Sequence, residues 1–230
     1  MNGGSSSVTH QANKNIVVKS IKEDISFALN YLLIELTILT SIASPYICKP
    51  ICASYKNLTI TMPYYGIPIN SKDLKWDEYS MAMLMKQLAL ALRDLRHHNI
   101  VHGDIKHDNV LVDEYGKLTL IDFGVSAIHG TCREYEPYSP EFRYPEIEQT
   151  NKGFLYSCNY DVWAMGMMWY YSLHPYDFMI GSCLDITCIV ENLPDENIIK
   201  PLFSFDLSKI LSLRMDIIKD LPKSEIGFGD

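Results

Sequence analysis

Residues 100–124 constrain the fold of this 230-residue chain more than any other stretch. Ile100-Val101 leads into His102-Gly103-Asp104-Ile105-Lys106-His107-Asp108-Asn109. Val110-Leu111-Val112, the turn Asp113-Glu114-Tyr115-Gly116 and a second apolar run at 118–121 follow, ending in Asp122-Phe123-Gly124. Two short β-branched or leucine-rich runs around a polar, glycine-bearing turn predict a hairpin. Asp122 comes eighteen residues after Asp104, with that hairpin between them. Each polar residue taken alone reads as a solvated loop side chain. Together they make a spaced set of carboxylates, a lysine and an asparagine.

The flanking elements follow from periodicity. Residues 8–19 read as a short hairpin that ends in Val17-Val18-Lys19. Residues 24–42 carry leucines 29, 32, 33, 36 and 39 at helical spacing, with Asp24 placed to cap the start and Pro45 beyond the end. Residues 47–53 and 58–62 read as two strands. A long amphipathic helix runs from 76 to 97 with Met81, Met85, Leu88 and Leu92 on one face. Residues 131–145 are irregular, and 161–173 are apolar enough for a buried helix, with Asp161 as its cap. The remainder reads as helical.

Composition narrows the class. With 47% apolar and 21% charged residues the chain can bury a core. Its net charge of −8 argues against a phosphate-gripping nucleic-acid binder. The charge runs +2 over residues 1–60, −4 over 61–160 and −6 over 161–230, a late acidity that reads as a solvated face. Six cysteines without a Cys-x-x-Cys pair indicate reduced thiols and an intracellular protein, in the cytoplasm or nucleus. The most apolar stretch, 25–48, is broken by Asn30, Glu35 and Pro45, so no membrane span or secretion signal is expected.

The 102–109 segment and Asp122-Phe123-Gly124 resemble the catalytic loop and metal-binding motif of the eukaryotic protein kinases, with His-x-Asp-x-Lys-x-x-Asn intact. The resemblance implies an α+β, two-lobed protein kinase-like fold. A small β-rich N-lobe with its hinge would occupy 1–66, with a reduced first strand, and a mostly helical C-lobe would occupy 67–230. It also implies ATP and Mg²⁺ as cofactors and a protein substrate, with no nucleic acid. Asp104 would accept the proton of the substrate hydroxyl, Lys106 would steady the γ-phosphate, and Asn109 with Asp122 would hold the metal. Phosphoryl transfer needs these residue types, because a carboxylate must orient the acceptor and hard oxygen ligands must hold the cation.

The resemblance continues upstream. Lys19 matches the strand lysine that reaches the α- and β-phosphates, and Glu35, sixteen residues on, matches its helix-borne partner. Glu35 also interrupts the most apolar helix, where an unpaired carboxylate carries a desolvation penalty, so it needs a cation. Gly3 and Ser6 fall at glycine positions of the phosphate loop, and the strand expected before it is not in this sequence, which fits either a reduced kinase or a fragment. Serine in place of glycine restricts the positive-φ geometries open to that loop. Val8, Val17 and Leu111 would wall the adenine site, Met62 would be its gatekeeper, and Pro63, Tyr64 and Tyr65 its hinge. Pro63 lacks an N–H but still offers a carbonyl.

Two further features bear on substrate and control. Gly103 stands where the family usually has an arginine that holds a phosphorylated activation segment, so activity is expected not to depend on phosphorylation of that segment. Residues 139–146, ending in Tyr144-Pro145-Glu146, resemble the end of a protein kinase activation segment, and Asp161-Val162-Trp163 resembles the buried helix that anchors that segment and the catalytic loop, so Asp161 is expected to hydrogen-bond the loop as well as cap its helix. Arg214 is a candidate partner for Glu146. Lys106 two residues after Asp104 is typical of members acting on Ser or Thr. Two other readings stand beside a Ser/Thr kinase: a pseudokinase that acts as a binding module, and a small-molecule phosphotransferase, suggested by His102-Gly103-Asp104. The brevity of both ends resembles the minimised kinases of some viruses. No feature names a substrate or an oligomeric state.

Overall fold

Among the residues described, 7–22, 25–71, 74, 76–134, 137–174 and 200–212 of a computed structural model, the first elements are the strands of an antiparallel hairpin, β1 (Ser7–Asn13) and β2 (Ile16–Ile21). Gly3, Ser6, Asp24 and Arg214 lie outside the described residues, as does the side chain of Val8. The hairpin joins β3 (Cys52–Ser54) and β4 (Thr59–Pro63) in a four-stranded sheet of order β1-β2-β4-β3. Strand alternation puts Val17, Lys19 and Ile21 on one face of β2, where Val17 pairs with Met62 and Lys19 with Ile60. Helix α1 (Ile25–Ser41) covers that face, and Ala28, Leu32, Ile21, Ile60 and Met62 close a small core beneath it.

The helix is apolar nearly all round, and its buried stripe differs from the one the leucine spacing predicts. Ala28, Leu32, Glu35 and Leu39 point inward, whereas Leu29 and Leu33 are exposed. The inward register is the one that carries Glu35 to Lys19. The strand predicted over 47–53 starts late. Pro50 lacks an N–H, and only Cys52–Ser54 joins the sheet. Ile47 and Cys48 are fully buried elsewhere: Ile47 bridges Leu120, and Cys48 N–H donates to the Leu120 carbonyl at 3.0 Å.

Beyond β4 the chain forms β5 (Ile67–Pro68), which pairs with β7 (Val110–Val112), and β7 in turn pairs with β8 (Leu118–Leu120). The predicted hairpin is therefore present, with a third strand the sequence did not announce. Helix α2 (Glu78–His97) starts at Asp77, whose carboxylate accepts the Ser80 N–H at 2.7 Å, and it buries Met81, Met85, Leu88 and Leu92. Short strands β6 (Ile100–Val101) and β9 (Ala127–Ile128) pair on either side of the 102–124 region.

Within the segment expected to be irregular, 131–145, only the two-residue β10 (Cys132–Arg133) and one 3₁₀ turn, Pro140–Phe142, are regular among the described residues. The strands that β10 joins lie beyond that segment: β11 (Gln149–Thr150) and β12 (Gly153–Leu155), in the order β10-β12-β11. Helix α3 (Cys158–Leu173) is buried along almost its whole length. Its cap is Ser157, whose hydroxyl accepts the Asn159 N–H, not Asp161, which lies inside the first turn. α3 packs on α2 and on the 3₁₀ segment Lys200–Ser204, and the short α4 (Ser208–Leu211) closes against α2. The larger core spans α2, α3, β7, β8 and the C-terminal end of α1. Among the described residues, no helix is long and apolar enough to cross a membrane.

Candidate active site

A cleft of about 310 Å³ opens beneath the four-stranded sheet. Val17, Met62, Pro63, Tyr65 and Leu111 give it apolar and hinge walls, and Lys19, Glu35 and Asp122 stand at its polar end. With Tyr64, nine residues singled out from the sequence thus meet around one space. Gln11, which β1 sets opposite Val17, also lines it, as do Asp108 and Ile121. At the hinge, Tyr64 N–H donates to the Asn15 carbonyl at 2.9 Å. The Tyr65 hydroxyl is drawn away from the cleft to Lys49, accepting its N–H at 2.7 Å and donating to its carbonyl at 3.2 Å. The Lys49 ammonium in turn donates to the carbonyls of Leu39 and Ile42, satisfying groups that the end of α1 leaves open.

Lys19 is the electrostatic centre of the cleft. Its Nζ lies 2.9 and 2.8 Å from the two Glu35 oxygens and 2.7 Å from Asp122 Oδ1. The lysine is 4% exposed and Glu35 is wholly buried, so neither charge is solvated by water. Burial alone would push the Lys19 ammonium down. The carboxylates of Asp122 and Glu35 outweigh it and hold the ammonium above the usual lysine range. Burial raises Glu35, with Lys19 opposing. At Asp122 burial acts upward too, but Lys19 prevails and the carboxyl is held below its ordinary value. The backbone turns at Asp122, with φ +64°, a left-handed geometry that aspartate tolerates better than most residues.

Asp104, Lys106 and Asn109 form a second cluster that does not line the cleft itself. Lys106 Nζ is 2.7 Å from Asp104 Oδ2. The Asn109 amide nitrogen donates to the Asp104 carbonyl at 2.8 Å and to Oδ2 at 3.0 Å, which leaves Asn109 Oδ1 without a hydrogen bond among the described residues. His102 joins the two clusters. Its Nδ1 accepts the Asp104 N–H at 3.2 Å, its Nε2 bonds the Ile121 carbonyl at 3.0 Å, and its ring meets buried Phe123 edge-on at 4.7 Å. These partners select the Nε2–H tautomer. Ile121 N–H also donates to the Asn109 carbonyl at 3.0 Å, tying the residue before Asp122 to the end of the 102–109 loop.

Asp161 supports this loop from α3. Its Oδ2 accepts the His102 N–H at 2.8 Å and its Oδ1 the Gly103 N–H at 3.1 Å. Ser139, absent from the sequence-derived site, stands at the cluster. Its hydroxyl lies 3.3 Å from Asp104 Oδ1 and 3.4 Å from Lys106 Nζ. Its place just before Pro140-Glu141 was the available signal. At the other edge, Gly124 lies under the Tyr31 ring of α1, where a Cβ would come within 1.9 Å of it.

The donor set fits a hard divalent cation. Asn109 Oδ1 and the Asp122 carboxylate are oxygen donors, and Mg²⁺ is commonly held by one or two such side chains plus phosphates and water. No cluster of three acidic, histidine or cysteine side chains occurs among the described residues, so the rest of a coordination shell would have to come from elsewhere.

A hinge-walled cleft, a buried lysine–glutamate pair and two linked carboxylate clusters on this α+β scaffold define a class, and sequence comparison agrees with it. The protein kinase domain family model matches residues 2–180, and the chain belongs to that family. It is 33% identical over 99 residues to the hormonally up-regulated neu tumor-associated kinase homolog B of Xenopus laevis, a match covering 41% of this chain and 15% of that protein. It is 34% identical over 121 residues to the serine/threonine-protein kinase 32C of Mus musculus, covering 50% of this chain and 25% of the relative. With the serine/threonine-protein kinase KIC1 of Saccharomyces cerevisiae the identity is 33% over 99 residues, 42% of this chain and 9% of the other. The matches span a quarter or less of these relatives' length.

Proposed function

We propose that this chain transfers the γ-phosphoryl group of ATP, in the presence of Mg²⁺, to serine or threonine hydroxyls of protein substrates. The observation that carries the proposal is the convergence of Lys19, Glu35 and Asp122 in one cleft, joined through His102 to Asp104, Lys106 and Asn109. Lys19, held by Glu35, is placed to bind the α- and β-phosphates. Asp104 orients the acceptor hydroxyl and takes its proton, and Lys106 offsets charge on the phosphoryl group in flight. Asn109 and Asp122 are the residues to hold Mg²⁺, which when bound neutralises phosphate charge. Val17, Leu111 and Met62 sandwich the base, and the hinge backbone supplies its polar contacts. Gly3, Ser6 and Val8 complete the phosphate loop in this reading.

Catalysis of this kind rests on positioning and fixed electrostatics, with no covalent participation of the protein. The stretch from β10 to β12, with its own sheet and with Ser139 at Asp104, supports a protein acceptor over a small molecule, because it forms a platform beside the carboxylate. The test is transfer of labelled phosphate to a basic protein, followed by phosphoamino acid analysis. Asp104→Asn and Asp122→Asn should each lower turnover by about 100-fold or more. Label on serine or threonine is expected. Retained activity in either variant contradicts the assigned roles, and Mg-ATP binding without transfer would leave the chain a nucleotide-binding module.

A further inference from the structure

We propose that Tyr138 is a positioning residue whose hydroxyl fastens the activation segment to the catalytic loop, in place of a phosphate-dependent contact at position 103. The inference rests on the phosphoryl-transfer reading above and adds to it how the substrate platform is held.

Gly103 cannot carry a side chain here. Its φ is +82°, and a Cβ would come within 2.9 Å of the buried Tyr156 ring. No cation can therefore project from this position to meet a phosphate. Tyr138 makes the connection from the other side. Its hydroxyl donates to Asp161 Oδ1 at 2.8 Å, on the same oxygen that accepts the Gly103 N–H at 3.1 Å. Its backbone N–H donates to the Gly103 carbonyl at 2.8 Å. One α3 carboxylate thus gathers the backbone of His102 and Gly103 and the side chain of Tyr138. Arg143 holds the far side, with guanidinium bonds to the Pro137 carbonyl at 3.2 Å and the Tyr138 carbonyl at 3.1 Å.

Two observations separate this arrangement from ordinary core packing. Tyr138 has φ +65°, a conformation that bulky residues rarely adopt and that persists where surrounding contacts over-determine it. The next residue is Ser139, whose hydroxyl touches Asp104 and Lys106. The buried hydroxyl of Tyr138 therefore sets where the Asp104 carboxylate finds its neighbour, although Tyr138 itself touches no reacting atom. All the donors in this fastening are uncharged except Arg143, and none requires phosphate.

Tyr138→Phe removes only the hydroxyl. In the full chain its kcat for transfer should fall by about tenfold, the scale of one lost buried hydrogen bond, while KM for ATP stays within about twofold. Backbone amides of Gly103 and Tyr138 should exchange faster with deuterium. Tyr138→Gly accepts the +65° geometry but deletes the buried ring as well as the hydroxyl, so it should lose at least as much kcat as Tyr138→Phe and melt at a lower temperature. Phosphatase treatment of the wild type should change kcat by less than about twofold. Wild-type kcat in both variants, with unchanged exchange, overturns the proposal. So does a large loss on dephosphorylation. A wild type that transfers no phosphate overturns the kinase reading instead, and the exchange rates then decide the fastening alone.

Discussion

Lys19 holds two carboxylates together at distances below 3 Å in a site closed to water, and its removal should be felt as folding stability. Lys19→Met leaves Glu35 buried with no cation and facing Asp122, and breaking a buried pair in this way costs roughly 3–5 kcal/mol. Glu35→Gln leaves Lys19 its bond to Asp122 and should cost clearly less. Urea denaturation of the two variants gives the comparison, and an equal or reversed order contradicts the assignment of Lys19 as the shared counter-ion. At this scale the sequence was highly informative. Glu35 in an apolar helix demanded a cation, and Lys19 was the one at hand. Tyr138 was not legible as a contact of the 102–104 loop, because its place depends on a fold-back of the 137–143 backbone that no local pattern encodes; for Ser139 the local signal is the Pro140-Glu141 that follows it. Asp161 was legible as a hydrogen-bond partner of the 102–104 loop, which it is, but the cap also expected of it is made by Ser157.

Elements meet the site through close approaches, and these give two further tests. Gly124→Ala drives a methyl group into the Tyr31 ring and should displace α1, and with it Glu35, at about 1–3 kcal/mol. Tyr31→Ala in the same chain should recover part of that stability. If the double variant is no better than Gly124→Ala, the ring is not what confines the glycine. His107, in the 3₁₀ turn His107–Asn109, anchors the loop to α3 through Nε2 bonds to the Met168 carbonyl and Ser172 hydroxyl. Burial holds its imidazole below the ordinary value of 6.5, with the Met168 bond and Asp108 opposing. The unfolded chain therefore takes up this proton first as pH falls. The His107 contribution is complete above pH 6.5 and is lost below it, with a slope of at most about 1.4 kcal/mol per pH unit. His107→Gln should flatten the stability curve below pH 6.5 relative to wild type; parallel curves contradict the buried neutral imidazole. Among the elements, the hairpins and α1, α2 and α3 were legible from period and turns. β5, β10, β11 and β12 were not, since two- or three-residue strands paired at a distance leave no periodic trace.

On the scale of the whole molecule, a sheet and helix lie above a cleft and a helical body below it, brought together by backbone and side-chain bonds around His102 and Asp122. The motif spacing made this architecture readable, because the distance from Asp104 to Asp122 is the length of one loop and one hairpin. What spacing could not supply was the burial that turns Lys19 and Glu35 from surface charges into a closed pair. The central claim is that these scattered residues serve one Mg²⁺–nucleotide complex. Calorimetric titration of ATP into wild type and Asp122→Asn, each with and without Mg²⁺, tests it most directly. One ATP per chain is expected, bound about tenfold or more tighter with Mg²⁺ in the wild type, with that gain absent in Asp122→Asn. No binding, or binding indifferent to Mg²⁺ in both proteins, contradicts the claim.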